Sequence, residues 1–350
     1  MLLASSVIRG SHLGESHGGL YLVDLERGSA ELKLDWNTTN IDIAGRGGDR
    51  GLRGIAYDGE HILVAANAEL LILDRNFTVL ESYGNPYLQH CHEISVAAGR
   101  VLLTSTGFDS VLMFDLRTRR FTGAWQLAAR DNTLELRPFV PSLEPGPANP
   151  VGPAGSAGSP ASASAAGSAH QASQAGAESG SSPRAAAGSS PAVPTPINRF
   201  HINSVTAAPS GFWFSGLRTP GLLYADANGL SLAAELPAGT HNAQMLGEGV
   251  IYNDTAGERV CYRSRGKSAG MSVPDFDPAA IINAARFASD VARPRFARGL
   301  CALGEGLVAG GSSPSTIAVY DIDAGRRLMH LNLSMDIRNA VHGLAVWPYT

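Results

Sequence analysis

Apolar positions in this chain come in short runs, alternating or continuous, that turns keep interrupting. GIAYDGEHILVAA, EISVAAGRVLLTS, SVTAAPSGFWFSG, GEGVIYND and LCALGEGLVAGG share one design: a strand, a turn at Gly59, Gly99, Gly211, Gly249 or Gly306, and a second apolar strand. A third strand often closes on aspartate, at Asp74 in LLILD, Asp115 in VLMFD, Asp226 in LLYAD and Asp321 in IAVYD. Aspartate suits that place because its carboxylate accepts backbone N–H groups two residues on, which starts a β-turn. Helical periodicity is confined to DPAAIINAARFASDVA and predicts a helix over 277–292. Strand units recurring at this spacing predict an all-β propeller.

Aligning the residue that opens each first strand stacks Arg53-Gly-Ile-Ala, His92-Glu-Ile-Ser, Asn203-Ser-Val-Thr, His241-Asn-Ala-Gln, Arg298-Gly-Leu-Cys and His342-Gly-Leu-Ala. These are six units, and the last has only its first strand before Thr350. Its missing strands are LLASSVI, GGLYLVD and AELKLDW at the N-terminus. The expected fold is therefore a six-bladed β-propeller, closed by pairing the N-terminal strands with the C-terminal strand, which removes the open edges of a sheet.

Composition changes the picture at one place. Residues 141–197 are almost entirely Ala, Ser, Gly and Pro, too poor in large apolar groups to offset the entropy of ordering, and read as a disordered insertion. They divide one propeller into 1–140, with the outer strands of the last blade and blades one and two, and 198–350, with blades three to five and the closing inner strand. Without the insertion, 350 − 57 = 293 residues remain, about 49 per blade. The formal net charge is −4, no basic run stands out, and no apolar run approaches the ~18 residues of a membrane span, which argues against nucleic-acid and membrane partners. Cys91, Cys261 and Cys301 are odd in number and far apart, and the start MLLASSVIRG lacks a signal-peptide pattern, so a cytoplasmic chain with reduced thiols is expected.

In a propeller the opening residues of the inner strands stand at one rim of the central channel. Here that column reads Arg53, His92, Asn203, His241, Arg298, His342. His92, His241 and His342 fall on alternate blades and could converge as a three-histidine set for a divalent metal ion, Zn²⁺ or Fe²⁺. Arg53, Asn203 and Arg298 would face the same opening and suit a carboxylate or phosphate, with Arg218 in SGLRTPG as a further anion-binding candidate. His90 and His201 lie two residues before the column; if extended, they share its face and are the candidate general bases or extra ligands. The competing reading gives these groups structural work: hydrogen bonds across the rim for the histidines, and salt bridges to Glu93 or Asp109 for the arginines. Cys91 alternates with the histidines and is expected in the core.

From His90 onward, HCHEISVAAGRVLLTSTGFDSVLMFDL, FHINSV, THNAQ, FARGLCALGEGLVAGGSSPS and NAVHGLAVWP resemble a group of bacterial β-propeller proteins of unassigned activity. These share the H-x-H-E, H-x-N and R-G-L blade openings. The resemblance implies the fold and the importance of the rim residues, and it implies no activity. Calcium-dependent lactonases of six-bladed type place Glu, Asn and Asp at the channel, where this chain has His and Arg, and no G-x-S-x-G serine-hydrolase motif is present. Two functions follow: a metal-dependent hydrolase, lyase or epimerase acting on a small anionic substrate at the channel mouth, or a non-catalytic propeller that binds a small ligand or a partner protein.

Deleting residues 146–190 should leave the fold intact, since the closure entropy of a flexible loop grows by only ~0.6 kcal/mol per doubling of its length. Limited proteolysis should cut there first and leave two fragments associated through gel filtration. A protease-resistant segment, or loss of folding on deletion, would contradict the reading.

Overall fold

The computed structural model describes residues 1–12, 14–37, 51–131, 133–141, 194–287 and 292–349. The expected Ala/Ser/Gly/Pro insertion lies outside the described residues from 142 to 193. Among the described residues the strands form six antiparallel sheets, one per blade. Blade one comprises Leu52–Tyr57, Ile62–Ala66, Glu69–Leu73 and Val79–Gly84. The inner strands of blades two to five are Ile94–Ala97, Ile202–Ala208, Thr240–Leu246 and Arg298–Gly304. Blade six closes the ring: its inner strand Asn339–Val346 pairs with Leu2–Ile8, which pairs with Gly19–Asp24 and then Ser29–Asp35. Blade two carries an outer fifth strand, Thr133–Phe139, paired with Arg120–Arg130, which the repeat did not foretell.

Core packing explains the continuous apolar runs. Adjacent residues on a strand point to opposite faces, and in a propeller both faces meet a neighbouring blade. Leu103 of blade two therefore packs with Leu63 and Ile72 of blade one, while its neighbour Leu102 packs with Phe212 and Phe214 of blade three. The same alternation gives an apolar cluster at every interface round the ring. Cys91 belongs to the cluster between blades one and two, as its alternation implied.

Near the axis the inner strands approach so closely that side chains do not fit. A Cβ on Gly54 would stand 2.7 Å from the Cα of Glu93, and one on Gly343 would stand 2.2 Å from the carbonyl oxygen of Arg53. Ser5 fastens this seam by accepting the Gly343 N–H at 2.8 Å and donating to the Arg53 carbonyl. The chain then runs past the inner strand onto blade one, where Trp347 stacks on Phe77 at 5.5 Å and Tyr349 lies 4.3 Å from the Arg75 guanidinium.

The helix expected over 277–292 is replaced, in its described part, by a single 3-10 turn at Pro278–Ala280 capped by Asp277. Ile282 then makes an isolated bridge with Asp336. The apolar side chains that mimic a helical stripe are buried instead against the 335–337 loop, with Ile281, Phe287, Met335 and Ile337 in one cluster. Tertiary burial overrides the local propensity.

Removing residues 1–10 deletes a strand buried on both faces and should lower the melting temperature by about 10 °C or more, since each lost kcal/mol is worth roughly 2–4 °C at this size. An unchanged melting temperature in the truncated chain would show that the ring closes some other way.

Candidate functional site

All six column residues stand at one rim, and the backbone there departs from a regular ladder. Pairing of the inner with the second strand slips between Leu52 and Ile55, between Ile202 and Ser204, between His241 and Gln244, and between Arg298 and Leu300. In blade six the slip falls between Ser5 and Ser6, which makes His342 the extra residue. Bulges of this kind bend a strand and re-aim its side chains. In blade two the ladder starts only at Ile94, and His92 precedes it outside the strand.

The bulged positions gather the side chains. The His92 ring lies 5.2 Å from that of His342 and 5.3 Å from that of His201. Arg298 donates through Nη1 to His342 Nε2 at 2.9 Å, and Arg53 donates to the Cys91 carbonyl at 3.2 Å. His92, His241, His342, Arg53 and Asn203 are all buried. Asn203 donates to the Thr240 carbonyl at 3.0 Å, and its Oδ1 finds no hydrogen-bond partner among the described residues.

The hydrogen bonds define the tautomers. His92 Nδ1 lies 2.7 Å from the His90 carbonyl oxygen, which can only accept, so Nδ1 carries the proton. Thr106 and Thr255 serve as clamps. Each donates its hydroxyl proton to a carbonyl, of Ile202 and Ala297, and offers its oxygen to Nδ1 of His92 at 3.0 Å and His241 at 2.8 Å. His201 Nδ1 donates to Asn198 Oδ1 at 3.1 Å. Because Arg298 only donates, His342 also carries its proton on Nδ1. The four imidazoles share one tautomer, with Nδ1–H tied to the wall in three of them.

Two participants were not among the residues singled out from the sequence. Arg9, just after Leu2–Ile8, reaches the mouth from the second strand of blade six, and burial followed by the Arg53 charge lowers it to about 10. Its signal was available, since inner strands open at this rim and the antiparallel second strand of each blade must end there. Phe296, two residues before Arg298, is a plate beneath three guanidinium groups, with Arg298 at 4.5 Å, Arg293 at 4.8 Å and Arg9 at 5.6 Å from its centroid. It also meets the His241 ring edge-on at 5.5 Å.

The arginines and burial together keep the imidazoles neutral. Burial, then Arg53, holds His92 well below the usual histidine range, and burial, then Arg298, does the same to His241 and His342. Burial, then Arg298, brings His201 down to about 4. Next to His92, Glu93 hydrogen-bonds Asn242 at 2.9 Å, and desolvation raises it to about 8, so it is a neutral acid at pH 7.

The remaining expectations resolve as follows. His90 and His201 are not on strands; both adopt the left-handed conformation, with φ of 54° and 57°, where Gly239 stands with φ 89° at the same slot of blade four. The alternation that placed them beside the column therefore does not apply, although His201 arrives there through the turn. Arg218 is spent on the Arg199 and Asn198 carbonyls at 2.5 and 2.7 Å and clamps the loop carrying His201. The carboxylate of Asp109 accepts the backbone N–H groups of Arg199, Phe200 and His201 on the same loop. Among the described residues no group of three His, Cys, Asp or Glu side chains is placed to hold a metal ion, His92, His241 and His342 included. The alternation of blades is as expected, but His342 turns its free lone pair to Arg298. No described helix is long and apolar enough to cross a membrane.

These neutral imidazoles make stability depend on pH. An unfolded chain protonates its histidines below about 6.5 while the folded chain does not, so each histidine removes about 1.4 kcal/mol of stability per pH unit below that point. Glu93 acts with the opposite sign between about 4.5 and 8, with the weight of one proton against several. Chemical denaturation should therefore show lower stability at pH 5.5 than at pH 7.5. In His241→Gln the loss should shrink by about 1.4 kcal/mol per pH unit, and an unchanged slope would contradict a neutral, buried His241.

No family model matches the chain, and no curated protein does. Among solved structures, a chain of a nidogen/laminin complex is similar at 7% identity with a TM-score of 0.54, over 98% of this chain and 97% of that one. A streptogramin B lyase structure is similar at 12% identity and a TM-score of 0.40, over 78% of this chain and 70% of that one. A computationally designed protein, Ika8, gives 12% identity and a TM-score of 0.45, over 97% of this chain and 89% of that one. At 7% identity the likeness to the nidogen/laminin chain extends to the fold and no further.

Proposed function

We propose that the channel mouth binds a small anionic ligand. The observation that carries this reading is the gathering of Arg9, Arg53 and Arg298 around a set of imidazoles that burial keeps uncharged. Guanidinium groups are hydrated more weakly than ammonium groups and present paired donors to carboxylate and phosphate, which makes them the usual choice for a partly dehydrated anion site. His342 adds a donor: its Nδ1–H is buried and finds no hydrogen-bond partner among the described residues. An anion entering here would gain charge-assisted hydrogen bonds from the guanidinium groups.

A metal-dependent reaction on His92, His241 and His342 has less support. Arg298 occupies the nitrogen that His342 would offer to Zn²⁺ or Fe²⁺, and a guanidinium at 2.9 Å repels a dication. The reading therefore favours a ligand-binding propeller over a metalloenzyme. A general-base role for His201 would need a substrate proton brought to its Nε2, with His90 acting through the carbonyl that orients His92.

Isothermal titration with malonate, phosphate and gluconate tests the site. At least one anion should bind, and Arg9→Gln and Arg298→Gln should each weaken it about ten-fold or more, the worth of a charge-assisted hydrogen bond. His61→Ala, in the turn between Leu52–Tyr57 and Ile62–Ala66 at the opposite rim, should leave the affinity unchanged. Equal losses in His61→Ala and Arg298→Gln would remove the mouth as the site.

A further inference from the structure

The histidines say more about the ligand than the arginines do. In His92, His201 and His241 the Nδ1–H is already committed, to the His90 carbonyl, to Asn198 Oδ1 and to Thr255 Oγ1. Each ring therefore carries a lone pair on Nε2 and has no proton to give there. Asn203 adds a carbonyl oxygen. Its Oδ1 and the Nε2 of His241 are buried and find no hydrogen-bond partner among the described residues, in side chains only 1% and 2% exposed. Buried acceptors left unmatched oppose folding, so a ligand that fits this mouth must bring protons to them.

A bare anion brings none. Carboxylate and phosphate oxygens accept hydrogen bonds, so they suit guanidinium N–H groups and the His342 Nδ1–H but oppose every Nε2 lone pair. An ammonium group would satisfy the lone pairs but, having only donors, would oppose the Arg9 guanidinium and the buried His342 Nδ1–H. One chemistry satisfies both halves: an anionic group joined to neutral O–H donors. We infer that the ligand is a small polyhydroxylated anion, its charged end on the arginines and its hydroxyl protons accepted by His92, His201 and His241. This deepens the anion-binding reading and rests on it.

The inference distinguishes itself from anion binding in general through matched probes. Gluconate and hexanoate have the same charge and carbon count and differ in hydroxyl groups; glucose 6-phosphate and inorganic phosphate form the corresponding phosphate pair. Titration of the full chain should show at least one hydroxylated member binding ten-fold or more tightly than its partner, and the pair that discriminates tells carboxylate from phosphate. His201→Gly is the informative variant, because a residue at φ 57° is relieved by glycine and folding is not at risk. It should lose about five-fold in affinity for the hydroxylated probe, the worth of one hydrogen bond, and change little toward its bare partner. If both members of each pair bind alike and Arg298→Gln weakens them alike, the hydroxyl requirement is wrong and the anion site stands. If none of the four binds, the anion reading falls and this inference with it. Stoichiometric zinc in the untagged protein, lost in His92→Ala, would overturn the inference by assigning the lone pairs to a metal.

Discussion

Six inner strands converge on one axis, and that crowding governs the rest of the molecule. Strands this close cannot carry side chains at every position, so glycine stands at Gly54 and Gly343, against the backbones of the neighbouring blades. Nor can every inner strand keep a regular ladder with its own blade while it curves toward the axis. The strain is taken up by bulges beside Arg53, Asn203, His241 and Arg298 and at His342. A bulge frees a side chain from the alternation of the sheet, and at this rim the freed side chains are polar. The same constraint that closes the ring thus supplies the site.

What the ring gathers is a set of guanidinium donors and imidazole acceptors. Guanidinium groups share an aromatic plate at Phe296 and stand among imidazoles that burial keeps neutral. The clamps are ordinary residues of the second-strand loops, Thr106 and Thr255, which spend their own protons on backbone carbonyls and so fix the tautomer of the ring they touch. Their work is to orient the pocket's histidines, and Asp109 and Arg218 do the same for the loop that carries His201.

The fold was legible because it repeats. The first-strand openings from Arg53 to His342 count the six blades, and an incomplete blade at each end of the chain requires closure of the ring. The column was legible for the same reason, since one register applied to every blade. Features without a repeat were lost. The fifth strand Thr133–Phe139 occurs in one blade, and the stripe at 277–292 imitated a helix while its side chains were meant for the 335–337 loop. Arg9 escaped because it lies at the far end of the chain from the blade it completes. The histidine set was legible down to the blade and not to the atom: spacing brings His342 to the rim, but which nitrogen meets Arg298 is a contact that no pattern of letters reveals.

The central claim is electrostatic: the mouth combines fixed positive charge with neutral histidines whose protons sit on Nδ1. Long-range ¹⁵N–¹H spectra of ¹⁵N-histidine-labelled protein read the protonation and tautomer of each ring directly. The account predicts that His92, His201, His241 and His342, assigned by single substitution, are neutral Nδ1–H imidazoles at pH 7 and remain so at pH 5.5. Nε2–H tautomers, or rings that take up protons near pH 6.5 as in an unfolded chain, would contradict it.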